Sequence, residues 1–97
     1  MRITIITAVH APSARFLPEA YASVRAQELP GGWEWRWVIQ EDGQTDEVRP
    51  YVPDDPRVTF RQGRAGGPGV ARTVALAHAT GPYVKVLDAD DLLTPGA

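Results

Sequence analysis

The stretch that decides the fold lies near the carboxyl end of the chain and reads Tyr83-Val84-Lys85-Val86-Leu87-Asp88-Ala89-Asp90-Asp91. Its first five residues form an apolar run with β-branched side chains, which is typical of a buried strand. Three carboxylates follow at once. In an open α/β sheet, residues at the carboxyl ends of parallel strands lie at the mouth of a ligand-binding crevice. The stretch therefore predicts an α/β sheet with acidic side chains at the end of one strand.

The three carboxylates, Asp88, Asp90 and Asp91, have two interpretations. They repel one another unless a cation joins them, and a hard divalent ion such as Mg²⁺ or Mn²⁺, itself bound to phosphate oxygens, would do so. A solvated acidic turn is the alternative, because aspartate is common in turns. The motif alone leaves both interpretations open.

Composition limits the classes of function. The chain has 97 residues, a net charge of −2 and no cysteine. It is long enough for one small domain, and no basic cluster favours a nucleic-acid partner. Without cysteine it has neither disulfides nor a thiolate metal site. The first residues carry only a short apolar run, unlike a signal peptide, so we expect a cytoplasmic location.

The order of predicted elements favours a parallel sheet. Predicted strands alternate with predicted helices, and no linker divides them, so we expect a Rossmann-like α/β sheet with flanking helices in a single domain, residues 1–97. Trp33, Trp35 and Trp37 alternate, which favours packing on one face of the sheet over a ligand-stacking platform. The predicted strands are Arg2 to Val9, Trp35 to Gln40, Arg57 to Arg61 and Tyr83 to Leu87; the predicted helices begin near Pro18, at Glu47 and at Pro68.

Several polar segments should meet at one edge of this sheet. The loop after the first strand, Glu41-Asp42 after the second and Asp88 after the fourth all follow strand ends. The glycine-rich segment 63–69 precedes a predicted helix whose start favours an anion, and Arg72 could contact a phosphate there. This segment is neither a Walker A loop nor a dinucleotide fingerprint, and a flexible connector is the alternative.

Five motifs, in this order, resemble the nucleotide-binding half of family 2 glycosyltransferases, which have the GT-A fold. The resemblance covers nearly the whole chain. The matching segments are Ile5 to His10, Leu17 to Gln27, Trp35 to Asp46, Gly69-Val70-Ala71-Arg72-Thr73 and Leu87-Asp88-Ala89-Asp90-Asp91.

The resemblance implies a site for a nucleotide-diphospho-sugar donor, with UDP as the expected nucleotide. Asp42 would accept a hydrogen bond from the N3–H of a uracil-type base, and Asp88 would lie near the ribose or the sugar. Arg72 would lie near the base or the phosphates. Thr7 and Val9 would line the base and ribose pocket.

The same resemblance implies a metal cofactor. Asp90 would hold Mn²⁺ or Mg²⁺ on the diphosphate, with Asp91 as a second ligand. The chain also departs from the family pattern, because Glu41 stands where aspartate is usual, Gln44 replaces serine and Thr73 replaces asparagine.

Family members continue beyond the acidic motif with a half that binds the acceptor and supplies the general base of inverting enzymes. No candidate base is visible here, so we expect a truncated chain that binds a donor but is inactive alone. The acceptor, whether a saccharide, a lipid or another hydroxyl compound, stays unknown. Missing carboxyl-terminal regions could also bring the protein to the inner face of the membrane. Exposed apolar surface would favour self-association.

Two other functions remain as alternatives. A non-catalytic nucleotide-binding or partner-binding module could keep the same scaffold. A phosphatase or phosphotransferase with an Asp-x-Asp nucleophile loop is disfavoured, because that loop usually follows the first strand rather than the fourth.

Overall fold

The computed structural model describes residues 2–27, 29, 31–63 and 83–87. They form four strands, β1 to β4, one α-helix, α1, and two 3-10 helices. Along the chain the elements are β1 (Arg2–Val9), the first 3-10 helix (Ala11–Phe16), α1 (Leu17–Arg25), β2 (Glu34–Asp42), the second 3-10 helix (Arg49–Tyr51), β3 (Val58–Gly63) and β4 (Tyr83–Val86).

The four strands form one parallel sheet in the order β3-β2-β1-β4. The chain thus adds β2 and β3 on one side of β1, whereas β4 pairs on the other side. Strand order reverses between β1 and β4, and ligands bind parallel sheets at such a reversal, outside the carboxyl ends of the strands. The predicted Rossmann-like α/β class is confirmed. The edge formed by the strand carboxyl ends is here named the carboxyl edge.

The hydrophobic core lies on the face of the sheet that packs against α1, here named the α1 face. Trp35 and Trp37 are 6% and 0% exposed there, and they pack with Ile5 of β1 and with Leu17 and Val24 of α1. The helix begins with leucine and proline, and proline is favourable in a first turn because its missing N–H has no helical partner anyway. Burial of two tryptophans in so small a sheet is a large share of its hydrophobic stabilisation.

The predicted row of three tryptophans is only partly present. Trp35 and Trp37 lie two residues apart on β2 and share the α1 face, as the alternation predicted. Trp33 precedes the strand and instead contacts Tyr83 of β4, with ring centroids 5.2 Å apart. It therefore supports the edge of the sheet rather than its core.

Other boundaries moved by a few residues. The expected helix at Glu47 is reduced to a single 3-10 turn, Arg49–Tyr51, and a 3-10 helix precedes α1. Strand β2 continues to Asp42, so Glu41 and Asp42 are strand residues and not part of a polar turn. The predicted helix from Pro68 to Thr80 lies outside the described residues.

A polar cluster joins α1 to the amino end of β3. The Tyr21 hydroxyl donates to Asp55 Oδ2 at 2.8 Å, and the same carboxylate accepts from the backbone and guanidinium of Arg57. The Arg57 guanidinium lies 3.9 Å from the Trp35 ring centroid. These hydrogen bonds, chiefly those from Arg57, hold the pKa of Asp55 well below its usual range. The cluster lies at the opposite end of the sheet from the carboxyl edge.

Candidate functional site

The carboxyl edge brings together chain segments that are distant in sequence. Val9 of β1 pairs with Glu41 of β2, and Glu41 pairs in turn with Gln62 of β3. On the other side of β1, Leu87 donates its backbone N–H to the Ile6 carbonyl at 2.9 Å. Strands β1, β2 and β3 therefore end side by side and β4 ends opposite Ile6, so that β1 and its following loop lie near the centre.

Thr7 fastens the end of β4 to the sheet. It is 0% exposed, and its hydroxyl donates to the Leu87 carbonyl at 2.6 Å while accepting from Trp37 Nε1 at 2.9 Å. The hydrogen bonds run through the sheet from β2 to β1 to β4. Because Leu87 immediately precedes Asp88, this chain of bonds fixes the position of the residue before the acidic segment.

Glu41 and Asp42 lie on opposite faces of β2, since successive strand residues alternate. Glu41 follows Trp37 and Ile39 on the α1 face and is 1% exposed. Asp42 lies on the other face and is half-buried, and its backbone pairs with Gly63 of β3. The two carboxylates therefore lie in different surroundings, although they are adjacent in the sequence.

Glu41 holds the loop that follows β2. Its Oε2 accepts from the Thr45 backbone N–H at 2.8 Å, and its Oε1 accepts from Gln62 Nε2 at 3.1 Å. Gln62 Nε2 also donates to the Thr45 carbonyl at 2.8 Å. Both backbone groups of Thr45 are thereby anchored to the ends of β2 and β3. A buried carboxylate needs such donors, because an unpaired one would be costly.

Two glycines close the same loop. Gly43 donates its N–H to the Gly63 carbonyl at 2.8 Å and accepts from the Gly63 N–H at 3.2 Å. Gly43 has φ +131°, a conformation that side chains rarely adopt. At Gly63 a Cβ would lie 2.7 Å from Nε2 of Gln40, a 1% exposed side chain. The turn therefore requires glycine at position 43, and a side chain at position 63 would make the Gln40 amide shift.

Gln40 is the least satisfied polar side chain of the described part of the chain. Its Nε2 donates to the Glu41 carbonyl at 3.4 Å, a long bond, and its Oε1 is buried without a hydrogen-bond partner. A buried acceptor in that condition costs about 1–3 kcal/mol.

The structure describes three of the seven predicted site residues. Thr7 and Val9 are 0% and 1% exposed, and their place in a base and ribose pocket stays a prediction. Asp42 lies at the carboxyl edge, as expected from its place in sequence. The other four, Arg72, Asp88, Asp90 and Asp91, lie outside the described residues.

No cluster of three metal-ligating side chains occurs within residues 2–27, 29, 31–63 and 83–87. The predicted metal site depends on the acidic segment after Leu87, where an all-carboxylate donor set suits Mg²⁺ or Mn²⁺. No helix of the described part has the length and apolar character needed to cross a membrane.

Comparison with known proteins gives this geometry a family. The family model described as Glycosyl transferase family 2 matches residues 4–97, nearly the whole chain. The chain belongs to glycosyltransferase family 2. The resemblance drawn from five short motifs is thus confirmed.

One curated relative is the poly(ribitol-phosphate) beta-N-acetylglucosaminyltransferase TarS of Staphylococcus aureus. It is 29% identical over 96% of this chain and 17% of its own length. Among solved structures, TarS 1-349 superposes with a TM-score of 0.76 at 30% identity, over 95% of this chain and 28% of that one. The mannosyltransferase PcManGT of Pyrobaculum calidifontis, in complex with GDP-Man and Mn²⁺, gives a TM-score of 0.76 at 26% identity, over 94% of this chain and 28% of that one.

These comparisons support a GT-A fold for this chain, as expected of a member of glycosyltransferase family 2. They also set its scale, because the chain spans between 11% and 17% of the length of the first three curated relatives that it matches. The activities of those longer proteins are their own, and for this chain a specific activity is a proposal.

Sequence reasoning missed the network around Glu41. The signal was present, because the alternation of Trp35, Trp37 and Ile39 places position 41 on the same buried face. A polar residue at the end of a buried face must find partners nearby. The identity of those partners, Gln62 and Thr45, depends on how β3 pairs with β2, which no local pattern reveals.

Proposed function

We propose that this chain is the donor-binding part of a glycosyltransferase that uses a nucleotide-diphospho-sugar, with UDP as the nucleotide. The observation that carries the proposal is the arrangement of the carboxyl edge. Asp42 ends the strand on one side of β1, and Leu87, the residue before Asp88, is fastened to the other side through Thr7. Family membership supports the proposal, as does the existence of TarS 1-349 in complex with UDP and with UDP-GlcNAc.

Asp42 is proposed to recognise the base. A carboxylate at the end of a central strand can accept the N3–H of uracil, which is a charge-assisted hydrogen bond. Val9 and the loop after it would border the same region from β1, through backbone rather than through the buried valine side chain. Arg72 would add a cation near the base or the phosphates, and Asp88 would contact the ribose or the sugar.

Asp90, with Asp91, is proposed to hold Mn²⁺ or Mg²⁺. Such an ion, when bound, stabilises negative charge on a departing diphosphate. The protein's contribution is to fix where the acidic segment begins, which Thr7 does through the Leu87 carbonyl at 2.6 Å. The PcManGT complex with GDP-Man and Mn²⁺ supports metal use in a related protein.

We further propose that residues 1–97 alone bind a donor without transferring its sugar to an acceptor. Transfer needs a positioned acceptor and a base for its hydroxyl proton, and these effects supply a large part of catalysis. The acceptor itself, a saccharide, a lipid or another hydroxyl compound, is left open. A radiolabelled-sugar assay over several acceptors should stay at background, and metal-dependent transfer would overturn this part of the proposal.

Self-association of the chain is proposed to involve β4. This strand ends the described sheet, and Tyr83, Val84 and Val86 are 47%, 42% and 51% exposed. An exposed edge strand with apolar side chains on both faces can pair with another copy. Sedimentation of the chain should show oligomers that a Val84→Lys, Val86→Lys variant reduces; a monomeric wild type would refute this.

Base recognition has a direct test. Asp42→Ala should weaken UDP binding in the presence of Mn²⁺ by about 1.5–3 kcal/mol, the value of one hydrogen bond to a charged group. That corresponds to roughly 10- to 150-fold in Kd. Pyrophosphate with Mn²⁺ lacks the base and should bind the variant and the wild type alike. Equal loss for both ligands would show that Asp42 acts through the metal or the fold.

A non-catalytic binding module on the same scaffold is the second candidate function. The proposed donor site would be retained in such a protein, so binding alone does not separate the two. Metal-dependent UDP binding with no transfer, even within a longer chain that includes an acceptor-binding part, would favour the module.

A further inference from the structure

We propose that Glu41 and Gln62 are positioning residues that hold the backbone of Asp42 in place. The glutamate at position 41, where the family motif usually has aspartate, is part of this arrangement. The proposal rests on the function proposed for Asp42 as the base-recognising residue. It assigns to the neighbouring carboxylate a task other than ligand binding. The hydrogen bonds around the loop after β2 carry the argument.

The orientation of Glu41 excludes a shared site with Asp42. Glu41 lies on the α1 face and is 1% exposed, whereas Asp42 lies on the opposite face. Both Glu41 oxygens already accept hydrogen bonds, from Thr45 N–H and from Gln62 Nε2. A nucleotide on the Asp42 side would therefore meet one carboxylate and not two.

The ring formed by Glu41, Gln62 and Thr45 restrains the loop at a point three residues beyond Asp42. Gln62 uses its amide nitrogen twice, toward Glu41 Oε1 at 3.1 Å and toward the Thr45 carbonyl at 2.8 Å. The Gly43–Gly63 bridge restrains the loop one residue beyond Asp42. Together the two restraints limit the conformations open to the backbone that carries Asp42. A recognition residue on a restrained backbone is pre-organised, because less conformational entropy is lost when the ligand binds.

The extra methylene of glutamate has a physical role in this ring. Position 41 must reach the Thr45 amide at 2.8 Å and the Gln62 amide on the neighbouring strand at once. Aspartate, which is usual in the motif that this segment resembles, is one methylene shorter and could not keep both contacts without moving the backbone. We therefore expect Glu41→Asp to loosen the loop, although it restores the more usual residue.

The test compares two ligands in the same variants. Gln62→Leu and Glu41→Asp should each weaken UDP binding with Mn²⁺ about tenfold, while pyrophosphate with Mn²⁺ changes less than twofold. The double variant should lose little more than either single one, because both substitutions break the same ring. Thr59→Val, an exposed substitution on the same strand as Gln62, is the matched control and should change neither ligand.

The outcomes separate the two proposals. Equal weakening of both ligands would mean a merely structural role and would overturn this inference, as would unchanged UDP binding in Gln62→Leu and Glu41→Asp. If Asp42→Ala weakens UDP selectively while these variants do not, the base contact stands and the positioning role falls. If Asp42→Ala itself shows no selectivity, the proposed function of Asp42 fails first.

Discussion

Thr7 offers the most quantitative test of the structure, because one hydroxyl satisfies two buried groups. Thr7→Val keeps the shape of the side chain and removes the oxygen. The Leu87 carbonyl then loses a donor at 2.6 Å, and Trp37 Nε1 loses an acceptor at 2.9 Å. A buried polar group left unpaired costs about 1–3 kcal/mol. With two such groups, the free energy of unfolding should fall by roughly 2–6 kcal/mol.

Urea unfolding followed by far-UV circular dichroism measures this loss. For a chain of this size it corresponds to a decrease of roughly 1–3 M in the urea midpoint. Thr7→Ser keeps the hydroxyl and should retain most of the stability, which keeps the test informative if Thr7→Val does not fold. Thr59→Val makes the same substitution at an exposed strand position and should change stability by less than about 0.5 kcal/mol.

A specific coupling should accompany the loss. In the Thr7→Val background, Trp37→Phe removes the orphaned indole N–H, so the two substitutions together should cost less than the sum of their separate effects. If Thr7→Val behaves like Thr59→Val, the hydroxyl does not carry its two hydrogen bonds, and the fastening of β4 through Thr7 is wrong.

Three further predictions test other parts of the molecule. The pKa of Asp55 is lower in the folded chain than the ordinary aspartate pKa of about 3.9, so its ionised form stabilises the fold above that pH and this stabilisation is lost as the pH falls below it. The urea midpoint of the wild type should therefore drop more between pH 5 and pH 2 than that of Asp55→Asn. Gly63→Ala should destabilise the chain by about 1–3 kcal/mol through its contact with Gln40, and Gln40→Ala in the same chain should relieve part of that cost in urea unfolding, whereas strict additivity would argue against the contact. Asp90→Asn should remove the effect of Mn²⁺ on UDP affinity in calorimetry with little change in the urea midpoint, and an unchanged Mn²⁺ effect would place the metal elsewhere.

The parallel sheet was predictable because its determinants are local. Strands β1, β2 and β4 contain short apolar runs and β3 begins with an apolar–polar alternation, while proline and glycine residues separate the elements, so the order of strands and helices follows from the sequence. The burial of Trp35 and Trp37 follows from simple alternation. The position of Trp33 was predicted wrongly because alternation does not show where a strand begins. Strand β2 begins at Glu34, one residue after Trp33.

The location of the site was predictable from the sequence, but the hydrogen bonds around it were not. The rule that ligands meet the carboxyl ends of strands located Asp42 without further information. The two hydrogen bonds of Thr7 depend on β4 and β2 lying on either side of β1, and they join residues 80 and 30 positions apart. The ring around Glu41 likewise depends on a pairing 21 residues away. Polar side chains that serve distant partners look like surface or ligand-binding residues until the register is known.

The central claim is that a nucleotide binds at the carboxyl edge of this sheet, and amide chemical-shift mapping of the labelled chain with UDP and Mg²⁺ tests it most directly. We expect the largest shifts at the end of β1, around Val9 and His10, and in the loop from Asp42 to Thr45. Residues at the amino ends of the strands, such as Trp35 and Arg57, should be unaffected. Shifts confined to those amino-end residues, or none at saturating ligand, would contradict the account.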